Sequence, residues 1–387
     1  MKEKILIVHN YYQIPGGEDT VVANEKKLLE DHGHEVVLYT RHNSELNQMN
    51  RLQKLLLPVS TIFNFQVYKE VKRLIKKEQI DVLHVHNTLN IVSPSVYYAG
   101  FACNVPVVQT VHNFRLLCPG ATFFRDGHVC EDCLEKGITC AVKHKCYRGS
   151  MVQTLACVIS TLFHRTIGTY KKLYYICLTE FNKEKLLHLK QIKESQIFIK
   201  PNFVTNVSEG LSQMDRNNQM IYVGRLEEIK GVDILLKAWR LMGEKAPKLI
   251  MCGTGPMETW CRKFVTENKL NKVRILGFVK NNLVREMIAQ SKALILPTQV
   301  YEGFPMTVLE AMAEGTPIIG SDLGNVGTLI KDSVNGMRFK AHSAENLAEI
   351  VKTIDIDNQS VRTYYEENYS QETNYKKIKE IYDKVVL

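Results

Sequence analysis

The sequence predicts an α/β protein built on doubly wound parallel sheets, with length for two domains. Three observations carry this. Apolar runs such as Ile5-Leu6-Ile7-Val8 and Ala293-Leu294-Ile295-Leu296 show no in–out alternation, so they read as strands buried on both faces of a parallel sheet. Helix-forming stretches lie between such runs, with glycine or proline at the junctions. The 387 residues suffice for two full cores, and 45% hydrophobic against 24% charged residues is the balance of a globular chain.

In chain order, Lys4–Val8 is the first strand and a helix follows over about 20–33. Between them Gly16 and Gly17 let the backbone close on a ligand, with Glu18-Asp19 beside them. The loop lacks the GxGxxG pattern, so no dinucleotide is implied. Glu35–Thr40 is the second strand. Residues 51–78 set Leu55, Leu56, Leu57, Ile62 and Phe65 against Arg51, Lys54, Lys69, Lys72 and Arg73. This stretch reads as a membrane-surface element, as a helix packing its apolar face on the sheet, or as each on a different part. Strands over 81–87 and 106–113 end in His86-Asn87 and His112-Asn113. Ligands sit at the carboxyl ends of parallel strands, so these four residues should face the cleft.

Cys118, Cys130, Cys133 and Cys146 fall in a polar insertion, 118–146, with Cys140 between them as a spare. A Cys-x2-Cys pair flanked by two further cysteines has the spacing of a structural zinc site, and a metal would order a segment with little core of its own. Ordinary thiols are the alternative. An apolar, helix-like stretch over 151–175 and strands at 174–179 and 196–200 complete a first domain, 1–203. A polar linker, about 205–218, opens the second, 204–370.

There the strand Met220–Val223 runs into Gly224-Arg225-x4-Lys230-Gly231. Two fixed cations at a strand's carboxyl end suit a diphosphate leaving group, which gains charge as its bond to a sugar breaks. Leu249–Cys252 enters the turn Gly253-Thr254-Gly255. The unit 293–322 is the most informative. Its strand stops at Pro297, a loop holds Glu302-Gly303-Phe304-Pro305, and a helix spans 307–314 before Gly315 and Pro317 end it. Free amides at the helix start form an anion site, and Glu310 lies about 7–8 Å along the helix. An acid at each end of a bound diphosphate suits hydroxyl groups, and a nucleotide-sugar offers a ribose at one end and a hexose at the other.

Glu302-x7-Glu310, with Gly303-Phe304 after the first acid and Glu-Ala-Met-Ala-x-Gly-Thr-Pro from the second, resembles the donor site of family 4 glycosyltransferases. These are retaining enzymes of the GT-B fold, so the resemblance implies two Rossmann-like, doubly wound domains facing each other across a cleft. The Gly-Arg-x4-Lys-Gly segment, the Gly16-Gly17 loop and His112 are similar to the family in the same order. The resemblance implies that Glu302, Arg225, Lys230 and His112 are catalytic, with His112 close to the transferred sugar. It implies a donor bound by Gly16, Gly17, Gly224, Gly253, Gly303, Phe304, Pro305, Met306, Thr307 and Glu310. It puts His86, Asn87 and Asn113 on the acceptor side, and a last helix, 371–387, packed back on the first domain. Pro305 stands where many relatives have Gly, and 321–328 lacks the family's Glu near Thr328.

The implied activity is retaining transfer of a hexose from a nucleotide diphosphate sugar, UDP favoured over GDP, to a lipid-linked or saccharide acceptor in bacterial surface polysaccharide synthesis. No catalytic cofactor is expected, because Arg225, Lys230 and helix amides serve the diphosphate. Asp355-x-Asp357 lies outside the motifs. A structural Zn²⁺ on Cys118, Cys130, Cys133 and Cys146 is the one metal expected. Residues 1–200 carry a net +8 and the remainder +1, which suits an anionic inner membrane surface as partner. The N-terminus shows no secretory h-region and no run of about 18 apolar residues occurs. A cytoplasmic protein, peripheral at the inner face of the membrane, is expected. The other readings are a GT-B epimerase, which turns over without an acceptor, and a non-catalytic nucleotide-sugar or metal-binding module. Nucleic acid is not an expected partner, because aromatics and basic residues are not interleaved around the cysteines.

Overall fold

The computed structural model describes residues 3–13, 16–205 and 216–386, without the side chains of 52, 54 and 55. Ile14 and Pro15 of the glycine loop, most of the linker and the side chains of Lys54 and Leu55 therefore lie outside the described residues. The chain divides into two compact units, one of residues 1–125, 130–201 and 374–387, the other of 126–129 and 202–373.

In the first unit β1 (Lys4–Tyr11), β2 (Glu35–His42), β3 (Val82–Val85), β4 (Val107–Val111), β7 (Tyr174–Cys177) and β8 (Ile197–Ile199) form one parallel sheet, ordered β2-β1-β3-β4-β7-β8. Two short strands, β5 (Phe124–Arg125) and β6 (His128–Val129), make a separate hairpin. Val82, Leu83 and Val85 are fully buried, as continuous apolar strands must be. The helix Gln371–Val386 sets Ile378, Ile381, Tyr382 and Val385 against Ile5, Ile7, Val82 and Val108.

The 51–78 stretch splits. Asn64 caps a helix, Phe65–Glu78, that buries Val67, Val71 and Ile75 at i, i+4 spacing. Each such burial contributes about 1.5–3 kcal/mol, so this part is a packing helix. Arg51–Ile62 instead leaves Leu56 and Val59 exposed. The apolar 151–175 stretch is also shorter as a helix, Met151–Thr166, because the chain turns at Gly168, whose φ is +71°, before β7.

The second unit repeats the plan with β9 (Asn217–Val223), β10 (Lys248–Cys252), β11 (Val273–Gly277), β12 (Ser291–Leu296), β13 (Ile318–Ser321) and β14 (Gly336–Phe339), ordered β11-β10-β9-β12-β13-β14. Its core gathers Met220, Leu235, Trp239, Leu249 and Ile295. The strand β14 and the helices Ala344–Thr353 and Asn358–Tyr369 were not anticipated from sequence.

Candidate active site

In the second unit the predicted donor residues meet at the carboxyl ends of β9 and β12. Lys230 Nζ lies 2.7 Å from Glu302 Oε1 and 2.9 Å from Oε2. Thr298 Oγ1 donates to Glu302 Oε1 at 2.9 Å, so the carboxylate is held from two sides. Asn325 is fully buried and donates to the carbonyls of Glu302 and Gly303, at 2.5 and 2.6 Å. It sits in the segment that departs from the family pattern, yet it fixes the acidic loop. Sequence reasoning missed both Thr298 and Asn325. Glu310 accepts from Asn281 Nδ2 at 2.9 Å.

The helix begins at Met306, with Pro305 as its N-cap. The Thr307 amide falls in the first turn, where no carbonyl precedes it in the helix. Phe304 is buried beside the Tyr369 ring and so supports the loop by packing. Arg225 is mostly exposed and pairs with Glu227 at 2.5 Å. Both predicted cations are thus ion-paired here. Gly253 has φ +138°, and a Cβ there would come within 1.9 Å of the Gly224 carbonyl oxygen. Glycine at this turn lets two strand ends touch.

In the first unit His86, Asn87, His112 and Asn113 line one small cavity of about 100 Å³, together with Arg115, Gln109, Thr61, Cys157 and Ser160. His86 itself is buried and does not stand open to ligand. Its Nδ1 is 2.9 Å from His112 Nε2, and its Nε2 is 3.3 Å from Glu25 Oε1. Glu25 Oε2 is 2.7 Å from Lys200 Nζ, both side chains being 1% exposed. His84 Nδ1 stands 3.1 Å from Glu25 Oε1.

These contacts assign the protons. Burial pushes the Glu25 carboxyl up, but Lys200 and His84 outweigh it and hold it well below the usual range. Burial and the neighbouring His84 push His86 down to about 4, and burial with His86 lowers His112 as well. Both rings are therefore neutral at pH 7. An ionised Glu25 only accepts, so His86 Nε2 carries a proton and Nδ1 accepts from His112 Nε2–H. That leaves His112 Nδ1 as a lone-pair acceptor. Among the described residues Glu25, His84 and His86 are the one trio whose ligand atoms lie mutually within 4.8 Å. The Lys200 ammonium already supplies the cation there, so the trio does not fit a metal.

The Gly16-Gly17 loop opens the helix Gly17–Asp31. Asp19 accepts the Gly16 N–H at 3.0 Å and also faces His9 Nε2 at 2.8 Å, so it caps the helix. Glu18 is more unusual. Burial pushes its carboxyl up to about 7 from 4.5, against a hydrogen bond from Tyr12. The folded chain thus holds that proton more tightly than the unfolded one. Stability should fall as pH rises from about 4.5 through 7, and the cost is complete above 7. Glu18→Gln should therefore raise the melting temperature at pH 8 and leave it nearly unchanged at pH 4.5, in melts of both proteins at both values. An equal shift at the two pH values would contradict this.

Two family models match the chain. Glycosyltransferase Family 4 covers residues 15–128, and Glycosyl transferases group 1 covers residues 205–371. The chain belongs to the family 4 glycosyltransferases. Among its relatives, an uncharacterized glycosyltransferase of Methanocaldococcus jannaschii is 24% identical over 94% of this chain and 92% of its own length. Another from that organism is 25% identical over 47% of this chain, an alignment spanning half of that protein. A glycosyltransferase from Rickettsia africae ESF-5 has the same fold, with a TM-score of 0.69 at 17% identity, covering 100% of this chain and 99% of that one. Anabaena HepE in complex with UDP gives 0.66 at 16% identity, over 98% and 100%. The family 4 chain thus has the GT-B fold, with one parallel-sheet domain in each unit.

Proposed function

We propose that this family 4 protein is a retaining hexosyltransferase. It takes the sugar from a nucleotide diphosphate donor, UDP in preference to GDP, and passes it to a lipid-linked or saccharide acceptor in bacterial surface polysaccharide assembly. One observation carries the reading: Lys230 and Glu302 are locked together beside a helix N-terminus, with Glu310 further along that helix. Without donor, Lys230 neutralises the acid. A diphosphate on the helix amides offers Lys230 a better-matched anion and frees Glu302 for sugar hydroxyls. The structural neighbour HepE has been solved with UDP and with UDP-glucose, which supports a uridine donor here.

A Glu302 freed in this way binds the hydroxyls of the transferred sugar rather than attacking its anomeric carbon. The reaction is then a front-face substitution. The anomeric carbon–oxygen bond to the diphosphate breaks, the acceptor oxygen bonds on the same face, and the acceptor proton passes to the leaving phosphate. Lys230, Arg225 and the amides stabilise the charge that develops. Arg115, at the cavity of the first unit, is a cation suited to an acceptor phosphate. Calorimetry with UDP and GDP, followed by NMR of the product anomer, tests this. Tighter UDP binding and a retained configuration are expected; tighter GDP binding or an inverted product would overturn it.

Membrane association rests on a second surface. Met151, Leu155, Ile159, Phe163 and Ile167 recur at i+4 and are each 44–50% exposed. Leu56, Val59 and Phe65 are exposed as well, on and just after the neighbouring helix. So large an apolar face suits a lipid surface. The same helix pair lines the His112 cavity through Thr61, Cys157 and Ser160. Ile159→Asp with Phe163→Asp should weaken co-sedimentation with anionic vesicles at least tenfold, since a charge in hydrocarbon costs about 2.5–3.5 kcal/mol. Unchanged sedimentation would remove this face from the membrane.

A further inference from the structure

Five of the chain's ten cysteines fall within 118–146, and the fold gathers them. Cys133 Sγ and Cys140 Sγ are 3.6 Å apart. Two thiolates on one tetrahedral zinc, at about 2.3 Å each, stand about 3.8 Å apart, so this pair already has the spacing of shared ligands. Cys118 neighbours Cys133, and its carbonyl accepts the Ala121 N–H at 2.8 Å, which closes the turn over Gly120. Gly120 explains how Cys146 joins them. A Cβ at Gly120 would meet the Cys146 carbonyl oxygen at 3.2 Å, with Cys118 Sγ at 3.7 Å and Cys146 Cβ at 3.8 Å. The missing side chain lets Cys146 come up beside Cys118. Cys130 instead closes the β5–β6 hairpin, its N–H donating to the Phe123 carbonyl at 2.7 Å.

We propose that Cys118, Cys133, Cys140 and Cys146 bind one structural Zn²⁺, with Cys130 outside the shell. The sequence spacing points to Cys130 and leaves Cys140 spare; the 3.6 Å approach of Cys140 Sγ to Cys133 Sγ favours Cys140 here. Among the described residues no three of these sulfurs lie mutually within 4.8 Å. Side-chain rotation completes the shell as the ion binds. Four thiolates leave no open position, so the ion is not catalytic. Its place in the fold gives it another role. Ile138 and Ala141 pack on Val158 of the helix Met151–Thr166, with Cys133, Cys146 and Leu162 alongside. Cys118 ends the loop that follows His112, and Arg165 of the same helix donates to the Leu116 carbonyl in that loop. The ion therefore fastens the loop after His112 to the helix that lines the cavity.

Elemental analysis of the full chain, purified without added zinc, should give about one zinc per chain. A mercurial reagent should release it to a chromogenic chelator. Cys118→Ser, Cys133→Ser, Cys140→Ser and Cys146→Ser should each lower zinc content and melting temperature together, while Cys130→Ser and Cys103→Ser keep both. UDP binding, which involves the other unit, should survive in the folded variants. Loss of zinc from Cys130→Ser with retention in Cys140→Ser would overturn the ligand set. The wild-type measurement stands even if a variant fails to fold. A metal-free wild type with five reactive thiols in this segment, or with a Cys133–Cys140 disulfide by mass spectrometry, would overturn the site.

Discussion

Glu302→Gln loses turnover by at least about 100-fold, the scale of removing one preorganised transition-state contact, while UDP still binds. The amide cannot pair with Lys230 as the carboxylate does, so the cation is freed for the diphosphate and UDP affinity holds or rises. Lys230→Ala behaves differently. It removes a charge-assisted donor from the diphosphate, for about 1.5–3 kcal/mol, and leaves Glu302 without its cation next to an anion. UDP affinity and transfer rate should then fall together. Calorimetry and steady-state rates on both variants check this. Equal losses of UDP affinity in the two variants would mean that Glu302 does not act on the sugar.

Lys200→Met unfolds the first unit or destabilises it by about 3–5 kcal/mol, because Glu25 is left as an uncompensated charge in the core. Against a typical total of about 5–15 kcal/mol, that is a large share. Lys200 also donates to Asn374 of the final helix at 3.0 Å, so it joins the first helix to the last. Adding Glu25→Leu should restore much of the loss, since an apolar pair replaces a buried ion pair at little cost. The rescued protein would still lack the acceptor that fixes His86. Its stability should recover while its transfer rate stays low. Denaturant melts and rates on the single and double variants separate the two effects; full recovery of rate would show that Glu25 serves the fold alone.

The donor loop was legible because its chemistry is local. Glu302, the helix start and Glu310 lie within ten residues, and strand, loop and helix follow from proline, glycine and apolar runs. The ion pair between Lys230 and Glu302 was not legible, since it joins residues 72 positions apart. The buried network was missed for the same reason. Its one local trace is Glu25, a charge on the apolar stripe of Val21, Val22, Leu28 and Leu29. A carboxylate there requires a partner, and sequence does not say that it is Lys200. His86 and His112 were placed at the correct strand ends, but their order, with His86 behind and His112 in front, comes only from packing. In the basic and apolar stretch, periodicity was present in both helices. Which face each helix exposes was settled by its neighbours.

The reading of this chain as a transferase is tested most directly by nucleoside diphosphate release, with and without an acceptor-bearing membrane lipid extract. We expect UDP release from UDP-hexose to depend on the extract, with label from the sugar appearing in the lipid fraction and both signals lost in Glu302→Gln. Sugar turnover at the same rate without extract, with no labelled lipid, would contradict the account and favour an epimerase.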